Sequence, residues 1–88
     1  MISSQMDNPF AIGDLVHISQ GVVLYGNSDN FKLGISSSPF SPRKVNDKPT
    51  VGLVMEHSMY EFYNIAVGQE RYYIRKEDMA LVSRKAMR

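Results

Sequence analysis

The first regular element is an alternating run at residues 15–19, in which Val16 and Ile18 share one face and their three neighbours share the other. This period of two predicts a half-buried strand with Val16 and Ile18 turned inward. Residues 20–21 break the pattern. Residues 22–25 are apolar, β-branched or aromatic, which predicts a second, short strand at the periphery of the domain.

The C-terminal half has the pattern of an antiparallel meander. Residues 51–56 predict a buried strand, and residues 61–67 and 70–76 predict the next two. Gly68-Gln69 separates the last two as a two-residue hairpin turn, with glycine at the first position, where a positive φ costs least.

The last of these strands has two different faces. Tyr72 and Ile74 point one way, while Arg71, Tyr73 and Arg75 point the other, so one face enters the core and the other presents cations beside an aromatic ring.

The chain then turns once before it closes. Residues 76–79 have little strand propensity and predict one helical turn, with Met79 pointing back inward. Residues 80–82 predict a short final strand that completes the sheet.

The stretch from residue 26 to residue 49 is the least regular part of the chain. It carries three prolines, two glycines, five serines and three asparagines. Phe31, Leu33 and Ile35 alternate within it, which predicts a short strand or a ribbon arm embedded in one long arm loop. A loop of this length in a compact domain is usually functional or partly disordered.

Composition supports a single folded domain. The chain has 88 residues, of which 43% are apolar and 22% charged, and its net charge is +1. We expect a domain over residues 10–83, a flexible tail over residues 1–9 and a basic tail over residues 84–88. The chain has no cysteine, no membrane-spanning apolar run and no secretory signal pattern, so we expect a cytoplasmic or virion-associated protein that is not exported by the Sec route.

The order of predicted elements resembles the Src-homology-3-like small β-barrel. The resemblance rests on the opening Gly13-Asp14-Leu15-Val16-His17-Ile18 and on the stretch from Tyr72 to Val82, which looks like the strand, helical turn and closing strand of that fold. It implies an all-β barrel of about five strands with a long arm and a one-turn helix before the last strand. KOW and Tudor-like barrels open in a similar way, and the size and tails also resemble those of small phage-encoded proteins.

The sequence does not favour catalysis. His17 and His57 do not form a metal-binding motif, the serines form no nucleophile elbow, and no glycine-rich loop is followed by the residues that bind phosphate. We therefore expect no catalytic residues, no metal, no cofactor and no small-molecule substrate. The chain also has no tryptophan, which the groove of signalling members of the family uses to bind proline-rich peptides.

Clustered aromatic residues favour protein–protein contact. Five aromatic side chains occur within residues 60–73, more than a small barrel can enclose, so we expect some to lie on the surface as interface residues. The preferred hypothesis is a non-enzymatic interaction or assembly module, self-associating or part of a viral assembly. Its predicted contact residues are Phe31, Phe40, Tyr60, Phe62 and Tyr73.

The basic residues support an alternative hypothesis, a KOW- or Tudor-like nucleic-acid binder. Residues 43–88 carry nine cations against six acids, although an ordinary solvated sheet face, neutralised by Glu61, Glu70 and Glu77, also explains this. The predicted nucleic-acid contacts are Arg71, Arg75, Lys76, Arg84, Lys85 and Arg88, with Arg43, Lys44 and Lys48 on the arm extending the same surface.

Overall fold

The computed structural model describes residues 9–59 and 61–84. Within these residues the chain forms seven strands, a four-residue helix and a single 3-10 turn. The strands are β1 (Leu15–Ile18), β2 (Val23–Asn27), β3 (Phe40–Val45), β4 (Thr50–His57), β5 (Phe62–Val67), β6 (Glu70–Arg75) and β7 (Met79–Ser83). The helix, α1, spans Asp29–Lys32, and the 3-10 turn spans Lys76–Asp78.

All seven strands belong to one antiparallel sheet in the order β3-β2-β6-β5-β4-β1-β7. The predicted all-β class, the C-terminal meander and the turn before the last strand are confirmed. The sheet has seven strands where about five were expected. The additional pairing comes from β2 and β3. These two strands form a hairpin, and β2 of this hairpin pairs with β6.

The core lies on one face of this sheet, which we call the inner face. Val16, Ile18, Tyr63, Ile65 and Ile74 are fully buried there, and for Val16, Ile18 and Ile74 this is the face predicted from their alternation. The other side of the same strands is the outer face.

Two glycines fix local geometry in the meander. Gly68 has a φ of 63° and begins the two-residue turn between Val67 and Glu70, as predicted. Gly52 lies on the inner face of β4, where an added Cβ would come within 2.5 Å of Ile65 Cγ2. β4 therefore packs closely over β5 at this point.

The arm differs from its prediction in two ways. The expected strand over residues 31–35 is wrong: the chain forms α1 there, because the Ser28 hydroxyl accepts a hydrogen bond from the Phe31 backbone N–H and caps the helix. β2 was expected to be peripheral, yet its Leu24 lies in the core. β3, which contains Pro42, pairs with β2 and converts much of the predicted loop into a hairpin.

A buried asparagine ties the end of the arm to the sheet. The Asn46 side-chain amide donates to the backbone carbonyls of Ile18 (3.1 Å) and Ser19 (3.0 Å). Its backbone N–H donates to the carbonyl of Val22, 2.8 Å away. The arm is therefore held at its base by buried hydrogen bonds, which are the expected solution for a buried polar side chain.

No helix among residues 9–59 and 61–84 is long and apolar enough to cross a membrane.

Candidate functional site

Four aromatic side chains meet on the outer face of the sheet, and we call them the outer ring cluster. Strand pairing brings them together, since Tyr25 lies opposite Tyr73 and Phe62 lies opposite Arg75 on the neighbouring strand. Phe40 begins β3 and reaches the same face. The members are Tyr25, Phe40, Phe62 and Tyr73.

The rings of this cluster pack against one another. Phe40 stacks on Tyr73 with ring centroids 4.3 Å apart and lies 4.7 Å from Phe62. Tyr25 meets Phe62 edge-on at 5.1 Å. Such contacts stabilise a pair beyond the area that it buries. The cluster is thus a second, smaller apolar centre on the face opposite the main core.

Arg75 covers part of the cluster. Its guanidinium carbon lies 5.6 Å from the Tyr25 ring centroid and 5.7 Å from that of Phe62, at distances typical of cation–π contacts. Its Nε is 3.8 Å from a carboxylate oxygen of Glu61, and both side chains remain partly exposed. Arg75, a predicted nucleic-acid contact, therefore lies against aromatic rings of its own protein.

Two of the rings expected on the surface are buried. Phe40 is 7% and Phe62 9% exposed, so the expectation that these rings are available on the surface is wrong. The physical reason is that the β2–β3 hairpin pairs with β6 and places Phe40 and Tyr25 over Phe62. Tyr73, which stacks on Phe40, is half-buried. Tyr60 lies outside the described residues.

Among the described residues, the most exposed large apolar side chains lie at the end of the arm. Leu33 and Ile35 are 73% and 72% exposed, and Phe31 and Met59 are exposed as well. None of the four residues of α1 is buried. We call Phe31, Leu33 and Ile35 the apolar tip.

A shallow cleft of about 290 Å³ connects the apolar tip to the outer ring cluster. Phe31 and Met59 line it from the loops, and Phe40 and Tyr73 line it from the sheet. Three of the five predicted protein-contact residues, Phe31, Phe40 and Tyr73, thus line one cleft. Phe62 lies next to it as the ring that supports Phe40.

Sequence reasoning identified Phe31 and Phe40 but missed Leu33 and Ile35 as surface residues. The alternation of these two residues with Phe31 predicted a short strand or ribbon arm, whereas both follow the short helix α1 and are exposed. Ser28, which caps α1, is the sequence signal that could have predicted the helix, because serine is favoured at the position before a helix starts.

A second cleft, which we call the basic cleft, opens where β2 and β6 separate. The pairing of these strands in the described chain is confined to Tyr25 opposite Tyr73. Beyond that point a space of about 410 Å³ has three cations at its walls, Arg43, Lys44 and Arg71. The cleft therefore unites Arg71 with two of the arm cations that the sequence associated with it.

Side-chain contacts in the basic cleft orient its charges. The Lys44 ammonium lies 5.9 Å from the Tyr72 ring centroid, and an Arg43 guanidinium nitrogen donates to the Asn27 carbonyl at 3.0 Å. The Tyr72 hydroxyl donates to the Glu70 carboxylate at 2.9 Å, and this hydrogen bond is the main reason why the pKa of Tyr72 is raised. The basic cleft thus contains the Glu70 carboxylate together with three cations.

The remaining predicted nucleic-acid contacts are not gathered in this cleft. Lys76 begins the 3-10 turn, and Arg84 follows β7 with a guanidinium nitrogen 3.9 Å from the buried Asp14 carboxylate. β6 and β7 lie at separate positions in the sheet with three strands between them, so Arg71 and Arg84 are on different parts of the molecule. Lys85 and Arg88 lie outside the described residues.

The described part of the chain contains no group of three or more histidine, aspartate or glutamate side chains positioned to hold a metal ion. The ring of His57 lies 4.7 Å from that of Tyr63, and His17 belongs to β1.

Comparison with known proteins does not assign the chain to a group: no family model matches it, and no curated protein and no solved structure matches it either.

Proposed function

We propose that this protein is a non-enzymatic protein-binding module whose partner contacts the apolar tip and the adjoining cleft. One observation supports the proposal most strongly. No residue of α1 is buried, and the apolar tip, Phe31, Leu33 and Ile35, exposes large apolar side chains to solvent. Exposed apolar patches that are rimmed by polar residues are typical of protein contact sites.

The energetics favour a partner at this position. Full burial of a leucine or isoleucine side chain contributes roughly 1.5–3 kcal/mol, and Leu33 and Ile35, which are 73% and 72% exposed, gain only a minor part of it within their own domain. The cleft that Phe31 of the apolar tip lines also has the rings of Phe40 and Tyr73 in its wall, and these two rings are stacked on each other. A partner would therefore meet a prearranged surface, which lowers the entropic cost of binding.

The proposal is tested by paired capture from the native source. The wild-type protein and the double variant Leu33→Ser, Ile35→Ser are immobilised, and the retained proteins are compared by quantitative mass spectrometry. We expect at least one protein that the wild type retains and the double variant loses, while the melting temperature is unchanged because both side chains are exposed.

A matched control uses Ile12, which is another large, exposed apolar residue outside the arm. Ile12→Ser should retain the same partner as the wild type. Identical retention by all three proteins, or equal loss in the Ile12→Ser variant, would contradict a site at the tip.

The basic cleft supports a second candidate function, the binding of single-stranded nucleic acid. Three cations around one opening, with Tyr72 and Tyr73 in its walls, match the combination of backbone neutralisation and aromatic surface that single-strand binders use. Binding to a fluorescent oligonucleotide should weaken linearly on a log–log salt plot and be lost in Arg43→Gln, Arg71→Gln. Lys32→Gln, on α1, is the control, and a salt-independent signal or equal loss in this control rejects the candidate.

The strand order supports a further part of the proposal, that the fold is a Src-homology-3-like barrel. The succession β7-β1-β4-β5-β6, with the 3-10 turn directly before β7, is the arrangement expected for that fold, and β2 and β3 then correspond to its long arm. A cytoplasmic or virion-associated assembly role remains part of the same proposal.

A further inference from the structure

The two edges of the sheet differ in how well they are protected. Neither β3 nor β7 has a second strand partner among the described residues. β3 contains Pro42, Arg43 and Lys44, and proline and charge are the usual features that prevent an edge from pairing with another chain. The β7 sequence from Met79 to Ser83 contains neither.

β7 is also open to solvent. Met79 is buried, and the four residues that follow it are exposed. Leu81 and Val82 are 41% and 54% exposed, so the open edge is apolar as well as unpaired. An edge of this kind offers backbone hydrogen-bonding groups to any strand of compatible sequence.

The charges at the two ends of β7 indicate which strand is compatible. Asp78 precedes the strand and Arg84 follows it. If a second β7 lies antiparallel with Leu81 opposite Leu81, then Asp78 of each copy lies opposite Arg84 of the other. The strand is thus complementary to itself in charge as well as in apolar character.

We propose that two copies of this chain associate through antiparallel pairing of their β7 strands, centred on Leu81. The two-fold axis passes through Leu81, and an Asp78–Arg84 pair forms at each end of the paired strands. The Arg84 guanidinium lies 3.9 Å from Asp14 and its side chain is 58% exposed, so the dimer requires it to turn from Asp14 to Asp78 of the other copy.

This pairing closes on itself. Both β7 edges are used in the dimer, and the edges that remain are the two β3 strands with their proline and cations. An isologous contact of this kind produces a dimer, not a growing fibre. A five-residue strand buries less than a standard interface, so we expect weak association with a dissociation constant in the micromolar to millimolar range.

The first test is sedimentation equilibrium over a concentration series up to the millimolar range. The wild type should show a monomer–dimer equilibrium, and Leu81→Lys should raise its dissociation constant at least about 10-fold because two lysines then meet at the axis. Val45→Lys, on the β3 edge, is the matched control and should leave the equilibrium unchanged. Circular dichroism confirms that each variant is folded.

The second test fixes the register. Asp78→Arg should weaken the dimer by placing like charges opposite each other, and adding Arg84→Asp should restore it. The Arg84→Asp substitution places a second carboxylate near Asp14 of the same subunit, which affects the stability of the fold. The melting temperature of each variant is therefore recorded, and only folded samples are compared.

Three results would overturn the proposal: a wild-type protein that is monomeric at millimolar concentration, a dimer that survives Leu81→Lys, or equal weakening by Leu81→Lys and Val45→Lys. A dimer that Leu81→Lys abolishes but the charge exchange does not restore would overturn the Leu81-centred register. None of these results bears on binding at the apolar tip, because β7 and the arm are separate parts of the chain.

Discussion

The ring of Phe40 stacks on the ring of Tyr73, with centroids 4.3 Å apart and 30° between their planes. β3 has β2 as its strand neighbour, yet this contact joins its first residue to β6. The Ser28 backbone N–H also donates to the Pro39 carbonyl at 2.9 Å. The base of the arm is therefore fixed to the sheet on both sides of α1, while the apolar tip between them remains exposed.

The outer ring cluster is predicted to stabilise the fold. Phe62→Ala should lower the free energy of unfolding by about 3 kcal/mol, because a nearly buried ring that contacts Tyr25 and Phe40 is removed. Urea denaturation measures the change. Phe31→Ala is the matched control, with an expected effect below about 0.5 kcal/mol because its ring is exposed. Equal effects of the two substitutions would show that the cluster does not hold the hairpin.

Gly52 is predicted to tolerate no side chain. In Gly52→Ala the new Cβ would lie 2.5 Å from Ile65 Cγ2 and 3.3 Å from Ile18 Cδ1, so the strands would have to move apart. We expect a loss of about 1–3 kcal/mol from this overpacking. Val51→Ala, at the neighbouring exposed position, should cost much less in the same denaturation experiment. A neutral Gly52→Ala would mean that β4 packs less closely than described.

Asp14 is predicted to anchor the first turn of the domain. Its carboxylate is fully buried and accepts a hydrogen bond from the Ala11 backbone N–H at 2.9 Å. Asp14→Ala leaves that N–H without its acceptor and should cost about 1–3 kcal/mol. Arg84→Gln should cost less than about 1 kcal/mol, because the Arg84 side chain is more than half exposed. Thermal unfolding of both variants measures the two losses of stability. A larger loss for Arg84→Gln than for Asp14→Ala would contradict the anchoring role of Asp14.

Alkaline pH is predicted to destabilise the fold through Tyr63. Burial raises the pKa of Tyr63 above its ordinary value of 10.0, against a hydrogen bond with the Phe10 backbone that lowers it. Above pH 10.0 the unfolded chain therefore releases a proton that the folded chain retains, and stability falls as pH rises. Denaturation midpoints measured across this range should fall in the wild type and fall less in Tyr63→Phe. Parallel curves for the two proteins would assign the loss to other groups.

The C-terminal half of the fold was predictable because its pattern is local. Tyr63, Ile65 and Val67 recur at a spacing of two along β5, and the Gly68 turn fixes the register of β5 with β6, so the core-facing side of Ile74 could be assigned from sequence. The arm was harder. Its β2–β3 hairpin depends on Asn46 and on ring contacts between residues far apart in the chain, which no local period reveals.

The candidate site was predictable in composition more than in arrangement. The aromatic residues were identified from sequence. Those that do not fit in the main core pack against one another on the outer face, so Phe62 is buried. Leu33 and Ile35 lie just after α1, outside any strand, and remain exposed. A count of side chains that fit one barrel cannot distinguish a second apolar centre from a free surface.

Protein binding at the apolar tip is tested most directly by photo-cross-linking from defined positions. Benzoylphenylalanine replaces Phe31 in the apolar tip or Val51 on the outer face of β4, both of which are exposed, and the proteins are irradiated in extracts of the native source. We predict a covalent adduct with a specific protein from position 31 that excess unlabelled wild type suppresses, and no such adduct from position 51. An adduct from position 51 alone, or none from position 31 with a folded protein, would contradict a binding site at the tip.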